Sequence, residues 1–436
     1  MTKAIKIYEE SHNPLLTALT VGGRSLAPAR ATCFPAGMLR CRLPYLAGLA
    51  LGLVAGIAAA QDSPPAPKTA PGELTPINVS GFSSSAQHWR DLRDESRFIQ
   101  AEPNQPSYPP AQVREIVANI LLFQRANGGW PKDYDMTAIL TEAQRAKVHA
   151  TRTRADTSFD NGNLHSQVAY LAQACAQAVE PAWRDACERG LDFILAAQYP
   201  NGGFPQRYPQ PKDFHAHITF NDSAMIGCLN VLQDAAGGAP RFDWLDAARR
   251  ERARAAVQRG VGCILKCQIR VDGCLTGWCQ QHDEQTYEAR PARTFELASL
   301  CPQDTTEILR FLMRLDPPAA EVVTAMDAAV AWLEKVKLSG IRVEKIKAPV
   351  EMFLRHTADF DKVVVKDPTA PALWARHYEI GTNRPIFAGR DGVKKYALAE
   401  IERERRTGTP WYGTWPQKLI EREYPAWRKQ VGGAGK

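Results

Sequence analysis

Apolar residues recur at helical spacing along most of the chain, in blocks that stop at glycine-rich turns. Val113, Ile116, Val117, Ile120 and Leu121 share one face of a helix that must break at Asn127-Gly128-Gly129. Leu164, Val168, Leu171 and Cys175 mark another, and Leu191, Ile194 and Leu195 the next, which stops at Asn201-Gly202-Gly203. Ile226, Leu229 and Leu232 lead into a long helix carrying Val257, Val261, Ile264 and Leu265 that ends at Asp272-Gly273. The pattern continues through Ile308, Leu309, Leu312 and Leu315 and through Val322, Met326, Val330 and Leu333. After Gly340 the texture changes: Ile341-Arg342-Val343 and Val363-Val364-Val365 predict short strands, and a last helix is expected over 393–405.

Three helix ends carry similar punctuation. Gln124 precedes Asn127-Gly128-Gly129-Trp130-Pro131, Gln198 precedes Asn201-Gly202-Gly203-Phe204-Pro205, and Gln268 precedes Asp272-Gly273. The glutamines lie 74 and 70 residues apart, the length of a helical hairpin with long loops. Hairpins repeated in this way bury their apolar faces against one another and can close into a ring. The pattern therefore predicts a mainly α fold, a toroid of antiparallel helix pairs with short strands and loops packed at one end. C-caps with positive φ account for the glycines. A cap needs no aromatic, so two readings stand for Trp130 and Phe204: stacking on sugar faces at the mouth, or filling the core.

The first sixty residues have a different character. Met38-Leu39-Arg40-Cys41-Arg42 supplies a basic start, residues 43–57 an apolar run too short and too rich in Gly and Ala for a membrane span, and Ala58-Ala59-Ala60 a cleavage site before Gln61. We expect an N-terminal extension and signal peptide over 1–60 (signal about 38–60), a linker and extended arm over 61–110, and a catalytic domain over 111–436. The mature chain would be a secreted or periplasmic monomer with no stable membrane association. Without residues 1–60, 48 Lys and Arg face 45 Asp and Glu, a net charge of about +3 that excludes nucleic acid as partner. Eight cysteines remain, an even number that permits disulfides in an oxidising compartment. Cys263 and Cys267, four apart on one helix, are poorly placed to bond each other, and Cys274 and Cys279 follow on the next loop. Their spacings match no standard zinc pattern.

Two acidic motifs sit just ahead of helices, Thr157-Ser158-Phe159-Asp160-Asn161 and Ile218-Thr219-Phe220-Asn221-Asp222. Helix N-capping explains each of them alone. Two carboxylates and amide oxygens one hairpin apart, at the same end of a ring, equally make part of an oxygen shell for Ca2+. A cationic cluster follows: Arg290 and Arg293, then Arg376, Arg384 and Arg390. Guanidinium is the fork for carboxylates, so several arginines at one mouth point to a polyanionic substrate, against the plain alternative of solvated surface charge.

The motifs Asn-Gly-Gly-Trp-Pro-Lys (127–132), Phe-Asp-Asn-Gly (159–162), Tyr-Pro-Asn-Gly-Gly-Phe-Pro-Gln (199–206), His-Ile-Thr-Phe-Asn-Asp (217–222), Trp-Cys-Gln-Gln-His-Asp (278–283), Ala-Arg-Thr-Phe-Glu (292–296), Ala-Arg-His-Tyr-Glu (375–379) and Tyr-Gly-Thr-Trp-Pro (412–416) occur in this order. Together they resemble the family 10 polysaccharide lyases, which are pectate lyases. The resemblance implies an (α/α)3 toroid that cleaves polygalacturonate by calcium-assisted β-elimination to 4,5-unsaturated oligogalacturonates. By resemblance, Asp160 and Asp222, with Asn161 beside them, hold the Ca2+, and Arg293 takes the C5 proton. Arg376 and Arg390 clasp substrate carboxylates, and Lys132, Asn221, Trp130 and Phe204 complete the substrate contacts. Ser223 after Asp222 and Asp133 after Lys132 depart from the family's pattern. An arginine base needs surroundings that disfavour its charged form; Lys132 and His282 are the next candidates. Two rival functions use the same residues: a toroid glycoside hydrolase with Asp160 and Asp222 as acid and base, and a non-catalytic oligogalacturonate-binding protein.

Overall fold

The computed structural model describes residues 74–92 and 94–433, so the expected leader and the first residues of the expected linker lie outside the described residues. The fold is mainly α. Helix α1 (Ser83–Asp91) is followed by α2 (Val113–Phe123), α3 (Glu142–Ala150), α4 (His165–Gln177), α5 (Pro181–Ala197), α6 (Ala224–Ala236), α7 (Ala247–Cys267), α8 (Pro302–Leu312), α9 (Ala320–Lys335), α10 (Arg403–Gly408) and α11 (Tyr424–Gly433). Local chemistry fixes several starts. Thr141 and Gln144 form a reciprocal capping box on α3, Asp246 caps α7 by accepting the Arg249 N–H at 2.8 Å, and prolines open α5 and α8.

Consecutive helices pack as hairpins, α4 on α5, α6 on α7 and α8 on α9, and the hairpins stack through α2–α4, α4–α6 and α6–α8 contacts. The recurring glutamine joins each hairpin to the next. Gln124 Nε2 donates to the carbonyls of Gly128 and Ala186, Gln198 Nε2 to those of Gly202 and Ala256, and Gln268 Nε2 to those of Thr276 and Ala325. Each side chain thus ties its own turn to the outer helix of the next hairpin, adding a second donor to a helix carbonyl and satisfying a turn carbonyl. Positive φ at Gly128 and Gly202 lets the turn lie flat on the Arg189 and Arg259 carbonyls, which a Cβ would overlap.

The third turn corrects the sequence reading. Asp272-Gly273 belongs to an inserted two-stranded hairpin, β2 (Arg270–Val271) with β3 (Cys274–Leu275), after β1 (Ile218–Thr219). The true counterpart of Gly129-Trp130 is Gly277-Trp278. Trp130 donates its indole N–H to Ile120 O and Trp278 to Ile264 O, both at 2.8 Å.

Three further expectations change. Within 61–110, expected as linker and extended arm, α1 forms, and Ile77, Phe82, Trp89 and Ile99 are buried in the main core. After β4 (Gln281–His282), the short strands expected near 341 and 363 are parts of a long ribbon, β5 (Ile341–Met352) with β6 (Thr357–Lys366). Along β5, residues 345–352 are solvent-exposed apart from Ala348, so no apolar alternation marks them. The helix expected over 393–405 is instead β9 (Lys394–Lys395) paired with β8 (Phe387–Ala388), then α10; β7 (Trp374–Ala375) pairs with β10 (Tyr412–Gly413). The Glu400 carboxylate accepts the Tyr396 and Ala397 N–H groups, a local alternative that competes with helix formation.

Candidate active site

The loop before α4 is anchored by Phe159, fully buried, and by the Phe159 N–H on Gln206 O at 2.9 Å. Asn163 donates to Trp130 O and Ser158 O, and α4 begins only after Leu164, with no side-chain cap. Asp160 is therefore not an N-cap. Asp222 is not one either: it lies in a 3-10 turn with φ of 53°, followed by Ser223 at 58°, and α6 has no side-chain cap. Two consecutive left-handed residues other than glycine store strain of about 1–3 kcal/mol each, a signature of functional loops. Ser223 Oγ donates instead to Glu307 Oε2 at 2.7 Å.

These loops bring the Asp160 and Asp222 carboxyls close enough to interact, Asp160 buried and Asp222 exposed. Loss of water around the carboxyl, and then the adjacent Asp160 carboxylate, hold Asp222 above its usual range. Burial pushes Asp160 up as well, but the Lys132 ammonium and the bond from Asp222 outweigh it and hold Asp160 low. Lys132 Nζ lies 2.6 Å from Asp160 Oδ2 and 3.5 Å from Asp133 Oδ2, and Gln206 Nε2 donates to Asp160 Oδ1 at 3.1 Å. Asn221 Nδ2 donates to Asp222 Oδ2 at 2.9 Å, while its buried Oδ1 has no partner among the described residues. Asn161 points elsewhere: its amide nitrogen is 2.7 Å from Asp133 Oδ1 and 2.6 Å from His88 Nδ1. The amide in contact with the aspartates is that of Asn221, through its nitrogen.

Arg293 is half-exposed and forked onto buried Glu296, with Nε to Oε2 at 2.8 Å and Nη2 to Oε1 at 2.5 Å. Desolvation works against its charge, but Glu296 and the Asp160 and Asp222 carboxylates more than offset this, so its pKa is raised. This corrects the expectation of surroundings that favour a neutral guanidine. Buried Phe295 lies under Arg293 at 4.8 Å, Arg390 at 5.3 Å and Arg405 at 4.4 Å. Glu404 holds Arg390 and Arg405 each by two hydrogen bonds. Arg376 has no carboxylate partner among the described residues; its Nη1 donates to Gln303 Oε1 at 3.3 Å, and its charge acts on Asp222.

Trp130 and Phe204 are fully buried, so neither offers a face to a sugar; they fill the core. His282 is also interior, with Nε2 accepting the Cys279 N–H at 3.0 Å and burial pushing its pKa down to about 4, so it is no base for the substrate. Cys263, Cys267 and Cys279 are buried thiols and form no disulfide with one another. Away from the aspartates, His217, Asp283 and Glu284 place three possible metal donors within 4.8 Å of one another. Hydrogen bonds already engage them: Asp283 Oδ1 accepts two turn N–H groups, and Glu284 Oε2 meets His217 Nδ1. Glu296, Glu404, Gln206 and His88 escaped sequence reasoning. Glu296 stood inside a quoted motif three residues after Arg293, but a shared motif does not reveal a side-chain fork.

Two solved structures are similar to this chain, both described as a family 10 polysaccharide lyase from Cellvibrio cellulosa. Each is 29% identical with a TM-score of 0.61; they cover 72% and 74% of this chain and 92% of their own. One is a mutant in complex with trigalacturonic acid. No curated protein matches. The fold and site thus define a polysaccharide lyase. Residues 124–420, well over half of the chain, match the pectic acid lyase family, and the protein belongs to it.

Proposed function

We propose that this enzyme cleaves polygalacturonate by calcium-assisted β-elimination on a closed (α/α)3 toroid, with Arg293 as the base. The observation that carries the reading is the adjacent Asp160–Asp222 pair with the unpartnered Asn221 Oδ1 nearby and the Arg293 and Arg376 charges within reach. Crowded carboxylates and an orphaned amide oxygen are hard donors suited to Ca2+, and a cation there relieves the like-charge repulsion that lifts Asp222. Asp160, Asp222 and Asn221 would hold it. When bound, calcium supplies Lewis-acid stabilisation of the uronate carboxylate and offsets the aspartate charges that favour protonated Arg293.

Arg376 and Arg390 orient the substrate through its carboxylates, and Lys132 keeps Asp160 ionised. As the neutral guanidine, Arg293 would receive the C5 proton at Nη1, the nitrogen without a partner among the described residues, as the C4–O4 bond breaks and the leaving oxygen takes a proton from water. Glu296 fixes the plane of the guanidinium. The similar lyase bound to trigalacturonic acid supports the substrate class. Action outside the cytoplasm rests on the expected leader; among the described residues no helix is long and apolar enough to cross a membrane.

The test is formation of unsaturated uronate, followed by its ultraviolet absorbance. Chelated protein should make none and added calcium should restore it; full activity without metal overturns the calcium assignment. Arg293→Lys and Arg293→Ala should both lower kcat by orders of magnitude with binding largely kept, as for a contact made in the transition state. Near-normal kcat in Arg293→Lys would reduce Arg293 to a charge that attracts substrate.

A further inference from the structure

Beside the aspartate pair, a cleft of about 540 Å³ opens between the segments Asp94–Phe98, Pro131–Tyr134, Arg154–Ser158 and Arg207–His215. Lys132, bonded to Asp160, and Asp133 line it, so it adjoins the candidate active site. Its charged side chains divide into two groups. Arg97 is committed to the carbonyls of His88, Trp89 and Leu92, and Lys132 to Asp160. Asp156 is held by Arg125, Asp133 by His88 and Asn161, and Asp94 by Ser96. Among the described residues Arg154, Arg207 and Lys212 have no side-chain hydrogen bond or carboxylate partner, and Asp213 is the one acid of the cleft in the same condition. Arg154 lies over the Phe98 ring at 5.8 Å, which limits its freedom at that wall.

The cations are also placed by the site itself. Arg207 bridges the backbone of Ser158, and its neighbour Gln206 touches Asp160, so the strand segment that reaches the active-site carboxylate carries Arg207 into the cleft. We propose that Arg154, Arg207 and Lys212 form an outer subsite that binds the carboxylate of a further uronate residue on the same polysaccharide strand. Uncommitted guanidinium groups in a cleft leading to an anionic polymer's cleavage point are donors for such a group, and a methyl-esterified residue offers them no charge. The proposal rests on the lyase reading above for the identity of the polymer, and on the cleft for the place of binding.

The full-length Arg154→Ala/Arg207→Ala variant is compared with the parent on galacturonate oligomers from trimer to hexamer, by product formation and by calorimetric binding. The expected result is a loss of kcat/KM, carried by KM, that grows with oligomer length and reaches roughly tenfold or more for the hexamer; Arg207→Lys should recover part of it. An equal loss at all lengths, or none at any length, overturns the subsite, the second outcome marking these residues as solvated surface cations. If the parent protein makes no unsaturated product from any oligomer, the lyase reading fails. Calorimetry then judges the subsite alone: selectively weaker hexamer binding in the variant supports it, and unchanged binding overturns it.

Discussion

Glu296 is buried, sits three residues after Arg293 and meets two nitrogens of its guanidinium and its backbone N–H. A carboxylate so placed fixes where the guanidinium plane lies, and its loss removes charge-assisted bonds of about 1.5–3 kcal/mol. Glu296→Gln keeps the shape and removes the charge. We expect kcat to fall by about 10- to 100-fold with KM little changed; a steady-state comparison in which only KM moves would show that Glu296 serves binding rather than the orientation of Arg293. The same residue shows the reach of sequence reading. Its motif could be quoted, yet whether Glu296 faces solvent or Arg293 depends on a turn conformation that residue order does not reveal.

At the scale of elements, the glutamine joints give a graded comparison. Arg189 and Arg259, three residues beyond the carbonyls that accept from Gln124 and Gln198, donate to the Oε1 of those glutamines at 2.5 and 2.7 Å. In the third joint that position is Ala328, and the buried Gln268 Oε1 has no partner among the described residues. Ala328→Arg should supply the missing donor and stabilise the fold by about 0.5–1.5 kcal/mol; an unchanged or lowered melting temperature would mean that the arginine cannot reach from α9. Helix α8 offers a second test. Buried Asp304 near its start has its pKa pushed up to about 7, by burial above all, with Arg376 opposing and Glu307 assisting. A folded-state pKa above the unfolded one contributes stability that is full below the ordinary carboxylate range and is lost as pH rises through about 7. The melting temperature should therefore drop between about pH 4 and pH 7 and level off above, and Asp304→Asn should flatten that drop. An equally steep drop in the variant would assign it to another group.

Over the whole molecule, residues 61–436 carry a net charge of only about +3, so attraction of a polyanion must come from local clusters rather than from overall charge. The Arg293, Arg376 and Arg390 groups and the cleft cations are at least partly exposed, and salt screens such groups over about 8–10 Å at physiological ionic strength. Raising the salt concentration should raise KM for polygalacturonate while leaving kcat nearly constant, measured at saturating calcium; a kcat that falls in parallel would place the salt effect on the metal or the base. Residue order by itself determined the hairpin helices α4 to α9, because a 3.6-residue apolar period and glycine stops act locally, and it determined the motif set that marks the family. Only the tertiary structure decided that Asp160 and Asp222 meet instead of capping helices, that Asn221 and not Asn161 places its amide against them, and that Trp130 and Phe204 face the core. Those outcomes depend on left-handed backbone at two or three loop residues and on packing between segments far apart in the chain, neither of which has a period to read.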